Sequence, residues 1–209
     1  MTRGKFITVE GIEGVGKSTN IDSLVRMLEG QGLTVITTRE PGGTPMAERI
    51  RNMLLEHGDE PLPDIAELLL FFASRSLHIQ NTIKPALRDG TWVVCDRFTD
   101  ASRAYQGYAR GQDLDRIEAL AEWVHDGLQP DLTILLDAPA EIGMNRAADR
   151  GAADRMEIEA KDFYQRARDG YLALAAAEPE RFVVVDATGS LAEVQDSVMQ
   201  AIQPLLNDN

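Results

Sequence analysis

The chain has 209 residues, a formal net charge of −13 at pH 7 and one cysteine, Cys95. This length suits one well-cored domain, and the acidic balance argues against a protein that binds nucleic acid or an anionic membrane. No apolar run approaches the roughly 20 residues that span a bilayer, and no apolar signal region opens the chain, so a membrane or secreted protein is not expected. The cysteine usage, without disulfide or zinc spacing, favours the reducing cytoplasm, and Cys95 is expected to be a buried structural thiol.

The first predicted elements are a buried strand over residues 5–10, a glycine-rich loop and an amphipathic helix. The loop, residues 11–19, reads G-I-E-G-V-G-K-S-T and fits the phosphate-binding P-loop pattern G-x-x-x-x-G-K-[ST]. Glycines let backbone N–H groups approach phosphate oxygens, and the helix N-terminus adds partial positive charge. Lys17 is then expected to reach the β- and γ-phosphates, and the Ser18 hydroxyl to hold Mg²⁺. Because every fixed position is filled between a strand and a helix, the pattern favours nucleoside triphosphate binding over an ordinary glycine-rich turn.

The rest of the chain alternates strands and helices. Further strands are predicted over residues 33–38, 92–95, 131–137 and 181–186. Further helices are predicted over residues 44–57 with Thr44 as N-cap, about 64–88 with a bend or break at Pro85, 114–127, about 157–177 and 191–206. Short, nearly continuous apolar strands between helices indicate a parallel sheet covered on both faces. The predicted fold is a single α/β domain over residues 1–209, of the three-layer P-loop NTPase type with a five-stranded parallel sheet.

The long helix near residues 64–88 is apolar on two sides. One stripe contains Ile65, Leu68, Leu69 and Phe72, and a second, roughly 120° away, contains Ala66, Leu70, Ala73 and Leu77. Phe71 and Arg75, spaced i and i+4, share a third direction. One apolar side packs on the core, and the other is covered either by a second subunit across a two-fold interface or by another helix of the same chain.

Charged residues follow the second and third strands. Arg39 opens the sequence R-E-P-G-G after strand two, and Asp96 and Arg97 follow strand three. The carboxyl ends of parallel strands form the ligand-binding edge of such sheets. An aspartate there holds the Mg²⁺ shell in P-loop enzymes, and arginine forks bind phosphate. Each residue alone is compatible with a solvated surface, but with the P-loop they predict a pocket for two phosphorylated substrates.

Residues 141–155 form an arginine-rich segment. Arg146 and Arg150 are spaced i and i+4, and G-A-A at residues 151–153 separates them from Asp154 and Arg155. Phosphoryl transfer spreads negative charge over the transferred group. A lid at about residues 141–156 that closes over this group would stabilise the charge and exclude water. The alternative is a solvated helix face in which Asp149 and Asp154 pair with the arginines.

Together these motifs resemble the thymidylate kinase family over nearly the whole chain. The matching stretches are E-G-I-E-G-V-G-K-S-T, T-R-E-P-G-G-T at residues 38–44, F-F-A-S-R at 71–75, D-R-F at 96–98, A-Y-Q-G at 104–107 and the arginine-rich segment. The resemblance implies phosphorylation of dTMP to dTDP with ATP and Mg²⁺, in dTTP synthesis, by a homodimer. It also implies that dTMP and ATP are the binding partners, with no nucleic acid and no membrane.

The resemblance implies a role for individual residues. The residues of the ATP loop would be Gly11, Ile12, Glu13, Gly14, Val15, Gly16, Lys17, Ser18 and Thr19. At the base of dTMP, Phe71 would stack on thymine, Arg75 would donate to a base carbonyl and Ser102 would face N3. At the sugar, Tyr105 would lie against the deoxyribose with Gln106 in support, and Glu13 would approach the 3′-hydroxyl. Arg39 and Arg97 would hold the phosphate. The metal would be approached by Ser18, by Asp96 through water, and by Glu157.

Two features depart from part of this family. The variable P-loop positions, Ile12, Glu13, Gly14 and Val15, carry no basic residue, as in the bacterial type where lid arginines supply the transition-state charge. Arg150 and Arg155 are the candidates for this catalytic role, beside Lys17 and Arg97, and Arg146 is the third. Phe98 stands where many relatives have tyrosine or histidine, so no hydroxyl role is assigned there. The loop at residues 186–188 matches one that packs near adenine in relatives.

Other functions remain open at this level. Another nucleoside or nucleoside-monophosphate kinase is the closest alternative, because thymine differs from uracil by one methyl, worth about 1–3 kcal/mol in an apolar pocket. A GTP-dependent switch usually needs an N-K-x-D element for guanine, and the sequence contains none. An ATP-driven regulator would hydrolyse ATP slowly, without a response to dTMP.

Overall fold

The computed structural model describes residues 3–56, 61–148 and 160–207. Its strands are β1 (Phe6–Glu10), β2 (Val35–Arg39), β3 (Trp92–Asp96), β4 (Leu132–Asp137) and β5 (Phe182–Asp186). They form a five-stranded parallel sheet in the order β2-β3-β1-β4-β5. The predicted five-stranded parallel sheet is confirmed. β1 is the central strand, and every residue of it is buried, so the P-loop leaves the sheet at its centre, between the ends of β3 and β4.

Helices cover both faces of this sheet. In the described ranges they are α1 (Lys17–Gly30), α2 (Pro45–Leu55), α3 (Asp64–His78), α4 (Lys84–Arg88), α5 (Thr99–Ser102), α6 (Leu114–His125), α7 (Ala140–Ala148), α8 (Lys161–Ala177) and α9 (Leu191–Asn207). Two π-helical segments, Ile79–Ile83 and Arg103–Ala109, continue α3 and α5. None of the helices in the described part of the chain is both long enough and apolar enough to cross a bilayer.

The core lies on both sides of the sheet, as the alternation of side chains along the strands requires. Ile7 and Val9 of β1 pack in the larger cluster with α1, α8 and α9. Phe6, Val93 and Cys95 point to the opposite face and pack against the end of the long helix. Cys95 is fully buried, and its thiol donates to the Arg97 carbonyl oxygen at 2.9 Å. Burial raises the pKa of this thiol well above its ordinary value, as expected of a structural cysteine.

Two local predictions need correction. No helix is predicted between the third strand and residue 114, but the chain is helical from Thr99 to Ala109. The polar residues and Gly107 of this segment hide the helical pattern, and a Cβ on Gly107 would contact the tip of the Leu114 side chain. The long helix does not break at Pro85. It widens into a π turn at Ile79–Ile83 and resumes at Lys84, so the proline stands near the start of α4, where its missing N–H is tolerated.

Neither apolar stripe of α3 is buried along its whole length. Leu68 and Phe72 are buried against Ile117 and Ala121 of α6. Ile65 and Leu69 of the same stripe are 60% and 51% exposed. In the second stripe Ala73 is exposed, and the other three members are half-buried: Ala66, Leu70 and Leu77. The neighbouring helix α2 adds Met46 and Met53, which are 50% and 62% exposed. The described helices therefore leave an apolar surface along α2 and α3.

Candidate active site

The P-loop is shaped by glycines in conformations that other residues rarely adopt. Gly14 and Gly16 have φ of 74° and 90°. Gly16 is the N-cap residue of α1 and supplies no side-chain cap, so the N–H groups of the first helical turn face the cleft. A Cβ on Gly14 would collide with the carbonyl of Gly143 in α7, and a Cβ on Gly143 would collide with the carbonyl of Glu13. The P-loop and α7 are thus in backbone contact.

Lys17 lies across the mouth of this loop. Its Nζ donates to the carbonyl oxygens of Gly11 at 3.1 Å and Ile12 at 2.9 Å. Burial lowers the pKa of Lys17 to about 8, with the charge of Arg97 acting in the same direction and Asp96 and Glu13 opposing it. Phosphate oxygens near the loop would compete with these two neutral carbonyls for a cation.

Arg97 is at the centre of a polar network between the P-loop and the helices after β3. Its Nη2 donates to Glu13 Oε1 at 2.7 Å and to the Tyr105 hydroxyl at 3.3 Å. Its Nη1 donates to the Tyr171 hydroxyl at 3.1 Å. The Tyr105 hydroxyl donates to Glu13 Oε2 at 2.5 Å. Arg97 itself has φ of 68°, the left-handed region, so its backbone is held in an unfavourable conformation at the end of β3.

Glu10 lies beneath this network and was not expected from the sequence. It is fully buried, and it accepts hydrogen bonds from Phe98 N at 2.6 Å and the Tyr171 hydroxyl at 2.7 Å. Burial raises the pKa of Glu10 to about 8, and Asp100 acts in the same direction. The available signal was an acidic residue ending an otherwise apolar strand immediately before the P-loop.

Asp96 ends β3 beside Lys17 and has a free acceptor. Its Oδ1 is buried and finds no hydrogen-bond partner in the described ranges. Asp96 and Ser18 line the same cleft, so a carboxylate oxygen and an exposed hydroxyl are available to a hydrated cation, as Mg²⁺ sites of this kind require. Among the described residues, no group of three or more His, Cys, Asp or Glu side chains could hold a metal directly. Glu157, the third expected metal residue, lies outside the described residues.

A cleft of about 520 Å³ joins these groups to the face of α3. It brings together most of the residues expected from the sequence: Glu13, Gly14, Gly16, Lys17, Ser18, Thr19, Arg39, Phe71, Arg75, Asp96, Arg97, Ser102, Tyr105, Gln106 and Arg146. Residues that sequence reasoning did not assign also line it: Glu40, Pro41, Arg51, Leu55, Phe98 and Ala101. Gly11, Ile12 and Val15 support the loop from below, where they are buried.

The wall formed by α3 is dominated by a buried arginine. Arg75 is 2% exposed, and its Nε donates to Glu40 Oε2 at 2.7 Å. Its Nη2 donates to the Phe98 carbonyl oxygen at 3.1 Å and to Ser102 Oγ at 3.2 Å. The guanidinium carbon lies 4.7 Å from the Phe72 ring centroid. Its remaining nitrogen, Nη1, is buried without a hydrogen-bond partner in the described part of the chain.

Two further arginines line the same end of the cleft. Arg39 has a side chain that is 54% exposed and donates to Glu48 Oε2 at 3.0 Å. Arg51 of α2 donates to the Pro41 carbonyl oxygen at 2.9 Å. No local pattern singled out Arg51, which shares a face of α2 with the buried residues Ala47 and Leu54.

The lid candidates are described only in part. Arg150 and Arg155 lie outside the described residues, as does the segment from residue 149 to 156. Arg146 is exposed and donates to the Ala187 carbonyl oxygen at 3.0 Å. The loop at residues 186–188 is closed by Asp186, which accepts from Thr188 N at 2.8 Å and Thr188 Oγ1 at 2.6 Å. Arg146 is therefore beside the loop that the sequence associates with adenine.

Comparisons with known proteins all find thymidylate kinases. A family model described as thymidylate kinase matches residues 9–198. The chain is 54% identical to a thymidylate kinase of Methylococcus capsulatus, over 99% of this chain and 98% of that relative. It is 53% identical to one of Pseudomonas syringae pv. tomato, over 97% of each chain. A crystal structure of thymidylate kinase from Ehrlichia chaffeensis aligns with a TM-score of 0.78 at 35% identity, covering 96% of this chain and 99% of that one.

Proposed function

The chain belongs to the thymidylate kinase family and phosphorylates dTMP with ATP as co-substrate, in dTTP synthesis, and we propose that the reaction takes place in the cleft between the P-loop and α3. One observation carries the assignment of the cleft. Arg97 is paired at 2.7 Å with Glu13 of the phosphate-binding loop and lines the same cleft as Arg75. A donor triphosphate on one side and an acceptor nucleotide on the other would therefore meet at Arg97.

The donor triphosphate is proposed to bind the P-loop at residues 11–19. The N–H groups at the start of α1 and the flexible backbone of Gly14 and Gly16 support this assignment. Lys17 would exchange its two carbonyl partners for phosphate oxygens, which restores its full positive charge. Arg146, beside residues 186–188, is assigned to the adenine end of ATP, in place of the transition-state role for which it was third candidate.

The acceptor dTMP is proposed to bind along α3. Phe71 would stack on thymine, and the unpartnered Nη1 of Arg75 would donate to a base carbonyl. Ser102, Tyr105 and Gln106 would complete the base and sugar pocket. The acceptor phosphate would be held by Arg97 and Arg39, and the position of Arg51 adds a third cation at that end.

Mg²⁺ is proposed between the two nucleotides. The free acceptor of Asp96 and the exposed hydroxyl of Ser18 fit a hydrated divalent cation, and Glu157 remains a prediction for the lid side. When bound, the ion neutralises negative charge on the donor phosphates. Asp96 would hold its hydration shell, while Lys17 and Arg97 orient the phosphates in line.

Arg150 and Arg155 are proposed to stabilise the negative charge of the transition state. The P-loop supplies no basic side chain other than Lys17, so further positive charge must come from another segment. The backbone contact of Gly14 with Gly143 brings the helix that leads into the lid against the donor loop. The single-domain organisation, with a lid at about residues 141–156, is part of the same proposal. A cytoplasmic location is proposed because ATP is held inside the cell.

The protein is proposed to form a homodimer through the apolar surface of α2 and α3. The predicted members Ala66, Leu70, Ala73 and Leu77 border the exposed residues Ile65 and Leu69. Light scattering at micromolar concentration should give twice the chain mass. Leu69→Glu should give a monomer, whereas Leu191→Glu, at a residue of α9 that is also exposed, should leave the dimer intact. A monomeric wild-type protein would contradict the dimer.

The activity is tested by turnover with dTMP, dUMP, dGMP and thymidine. We expect dTMP to be the best substrate and dUMP to be about 10- to 200-fold poorer, the range for one methyl group. Thymidine should be inactive, because it offers no phosphate to Arg39 and Arg97. Lys17→Met should lower kcat about 10²- to 10³-fold, whereas Lys161→Met, at a surface pair with Glu141, should not. Absence of turnover with dTMP would refute the assignment.

A further inference from the structure

Arg75 lines the cleft, and hydrogen bonds hold two of its three guanidinium nitrogens. Nε and Nη2 are committed to Glu40, Phe98 and Ser102, and only Nη1 has no partner among the described residues. The guanidinium is planar, so fixing two of its nitrogens fixes the direction of the third. Whatever holds Nε therefore decides where the donor for the substrate points.

Glu40 holds Nε, and it is itself deeply buried. Its side chain is 3% exposed and bonds Arg75 through Oε2 and His78 Nδ1 through Oε1, at 2.7 and 2.9 Å. Burial alone would raise the pKa of Glu40, but the charge of Arg75 and the hydrogen bond of His78 hold it below its ordinary value. The carboxylate is thus ionised, and it compensates a positive charge that would otherwise be buried alone.

His78 fixes the second oxygen of Glu40 from behind. It is fully buried, and its Nε2 lies 2.7 Å from Thr38 Oγ1. Thr38, His78, Glu40 and Arg75 therefore form one continuous line of hydrogen bonds that starts on β2 and ends in the cleft. His78 and Glu40, in the middle of this line, each have a partner on both sides.

The sequence R-E-P-G-G packs closely against this line of hydrogen bonds. Gly42 N donates to Ser74 Oγ at 3.1 Å, and the Gly43 carbonyl accepts from Thr82 Oγ1 at 3.0 Å. A Cβ on Gly43 would collide with the His78 ring, and Gly43 has φ of 84°. The turn after β2 is thereby joined to three successive turns of the long helix, at Ser74, His78 and Thr82.

We propose that Glu40 and His78 are positioning residues for acceptor recognition, which hold Arg75 so that Nη1 donates to a carbonyl oxygen of the pyrimidine base. This inference rests on the proposed function, in which Arg75 faces the base of dTMP. It assigns the R-E-P-G-G segment a role beyond the phosphate contact of Arg39. A base that presents an amino group at this position meets a fixed donor and is rejected, because a guanidinium has only donors and an amino group cannot accept from it.

The test compares Michaelis constants in three variants of the full chain. Arg75→Lys removes the fork, and we expect KM for dTMP to rise about 10- to 100-fold, the size of one lost charge-assisted hydrogen bond. Glu40→Gln keeps the shape and removes the charge, and should raise KM for dTMP about tenfold, with kcat and KM for ATP nearly unchanged. Asp100→Asn neutralises another buried carboxylate that is paired with arginines. It should leave the ratio of KM for dTMP to KM for ATP unchanged.

Three further readouts separate positioning from a structural effect. The ratio of kcat/KM for dTMP and dUMP should stay constant in Glu40→Gln, because both bases have the same carbonyl groups. In the Arg75→Lys background, Glu40→Gln should add little, since the fork it positions is already gone. Thr38→Val should raise KM for dTMP about threefold, a fraction of one hydrogen bond, and Thr38→Ser, which keeps the hydroxyl for His78, should restore it.

The outcomes separate two claims: that Arg75 contacts the base, and that Glu40 and His78 position Arg75. If Arg75→Lys leaves KM for dTMP unchanged, the assignment of Arg75 to the base is wrong. Positioning by this line of hydrogen bonds is wrong if Arg75→Lys raises KM for dTMP while Glu40→Gln and Thr38→Val leave it unchanged. It is also wrong if Glu40→Gln and Thr38→Val raise KM for dTMP and KM for ATP by the same factor. Should Glu40→Gln fail to fold, His78→Gln retains the Glu40–Arg75 pair and carries the same comparison.

Discussion

The donor end and the acceptor end of the cleft hold their charges in different ways. At the donor end, Lys17 bonds two backbone carbonyls of its own loop and no other group in the described part of the chain. At the acceptor end, Arg75 is locked by Glu40, Ser102 and the Phe98 carbonyl, and Glu40 is locked in turn by His78. The donor cation can therefore move to a phosphate at little cost, whereas the acceptor cation is fixed before any substrate arrives.

This difference indicates where each kind of selectivity resides. A triphosphate is recognised by charge and by backbone N–H groups, which tolerate small movements. A base is recognised by the direction of one or two hydrogen bonds, which requires a rigid donor. We therefore expect changes at the donor end to act mainly on kcat and ATP binding, and changes at the acceptor end to act mainly on dTMP binding.

The largest expected effect is at the donor end, in the lid. Arg155→Ala should lower kcat about 10³-fold, the size of a lost transition-state arginine, with a much smaller change in KM for dTMP. Arg150→Ala is the companion variant, and steady-state kinetics with both substrates provides the measurement. Near-normal turnover in both variants would remove the lid arginines from the mechanism.

A smaller effect is expected where the P-loop contacts α7. Gly143→Ala places a Cβ against the Glu13 carbonyl, and should destabilise the protein by about 1–3 kcal/mol and raise KM for ATP more than KM for dTMP. Gly30→Ala is the matched control, because no atom lies within 4 Å of a Cβ there, and it should be neutral or stabilising by up to about 1 kcal/mol. Equal effects of Gly143→Ala on KM for ATP and KM for dTMP would contradict the distinction between the donor and acceptor ends of the cleft.

The remaining expected effect is a pH dependence of stability that arises beneath both ends. The pKa of Glu10 is about 8 in the folded protein and near 4.5 in the unfolded chain, so between these values the folded state retains a proton that the unfolded state has lost. The contribution of Glu10 to stability is therefore fully present below pH 4.5 and is lost as pH rises through 8, by at most about 1.4 kcal/mol per pH unit.

Glu10→Gln removes this titration. Denaturant unfolding of the variant and the wild type from pH 5 to pH 9 should show the variant gaining relative stability as pH rises toward 8. Parallel stability curves over this range would mean that Glu10 is ionised in the folded protein.

Much of the fold and of the donor site follows from contiguous sequence. The P-loop is one uninterrupted stretch, and the parallel sheet follows from apolar strands that alternate with helices. Local patterns could not reveal the helix at residues 99–109, since Gly107 and the polar residues there serve tertiary packing and conceal its periodicity. The exposure of Ile65 and Leu69 was equally hidden, because a helical stripe does not specify which of its members the core covers.

The acceptor site depends on contacts between distant segments, and this limited its prediction. Arg75 and Glu40 are 35 residues apart, and Glu10 and Tyr171 are 161 apart. The resemblance to a known family indicated Arg75, Phe71 and Tyr105, but no pattern along the chain indicated that Glu40 and His78 stand behind Arg75. A buried carboxylate and a buried histidine appear in sequence as ordinary polar residues, and only their packing gives them a role.

The most direct test of this account is a crystal structure with dTMP and a non-hydrolysable ATP analogue bound together. We expect the Arg75–Glu40 and Glu40–His78 hydrogen bonds to persist, with Arg75 Nη1 donating to a carbonyl oxygen of thymine. Lys17 should have left the carbonyls of Gly11 and Ile12 for phosphate oxygens. A complex in which Arg75 turns away from Glu40, or in which Nη1 makes no contact with the base, would contradict the central claim that the acceptor end is built in advance.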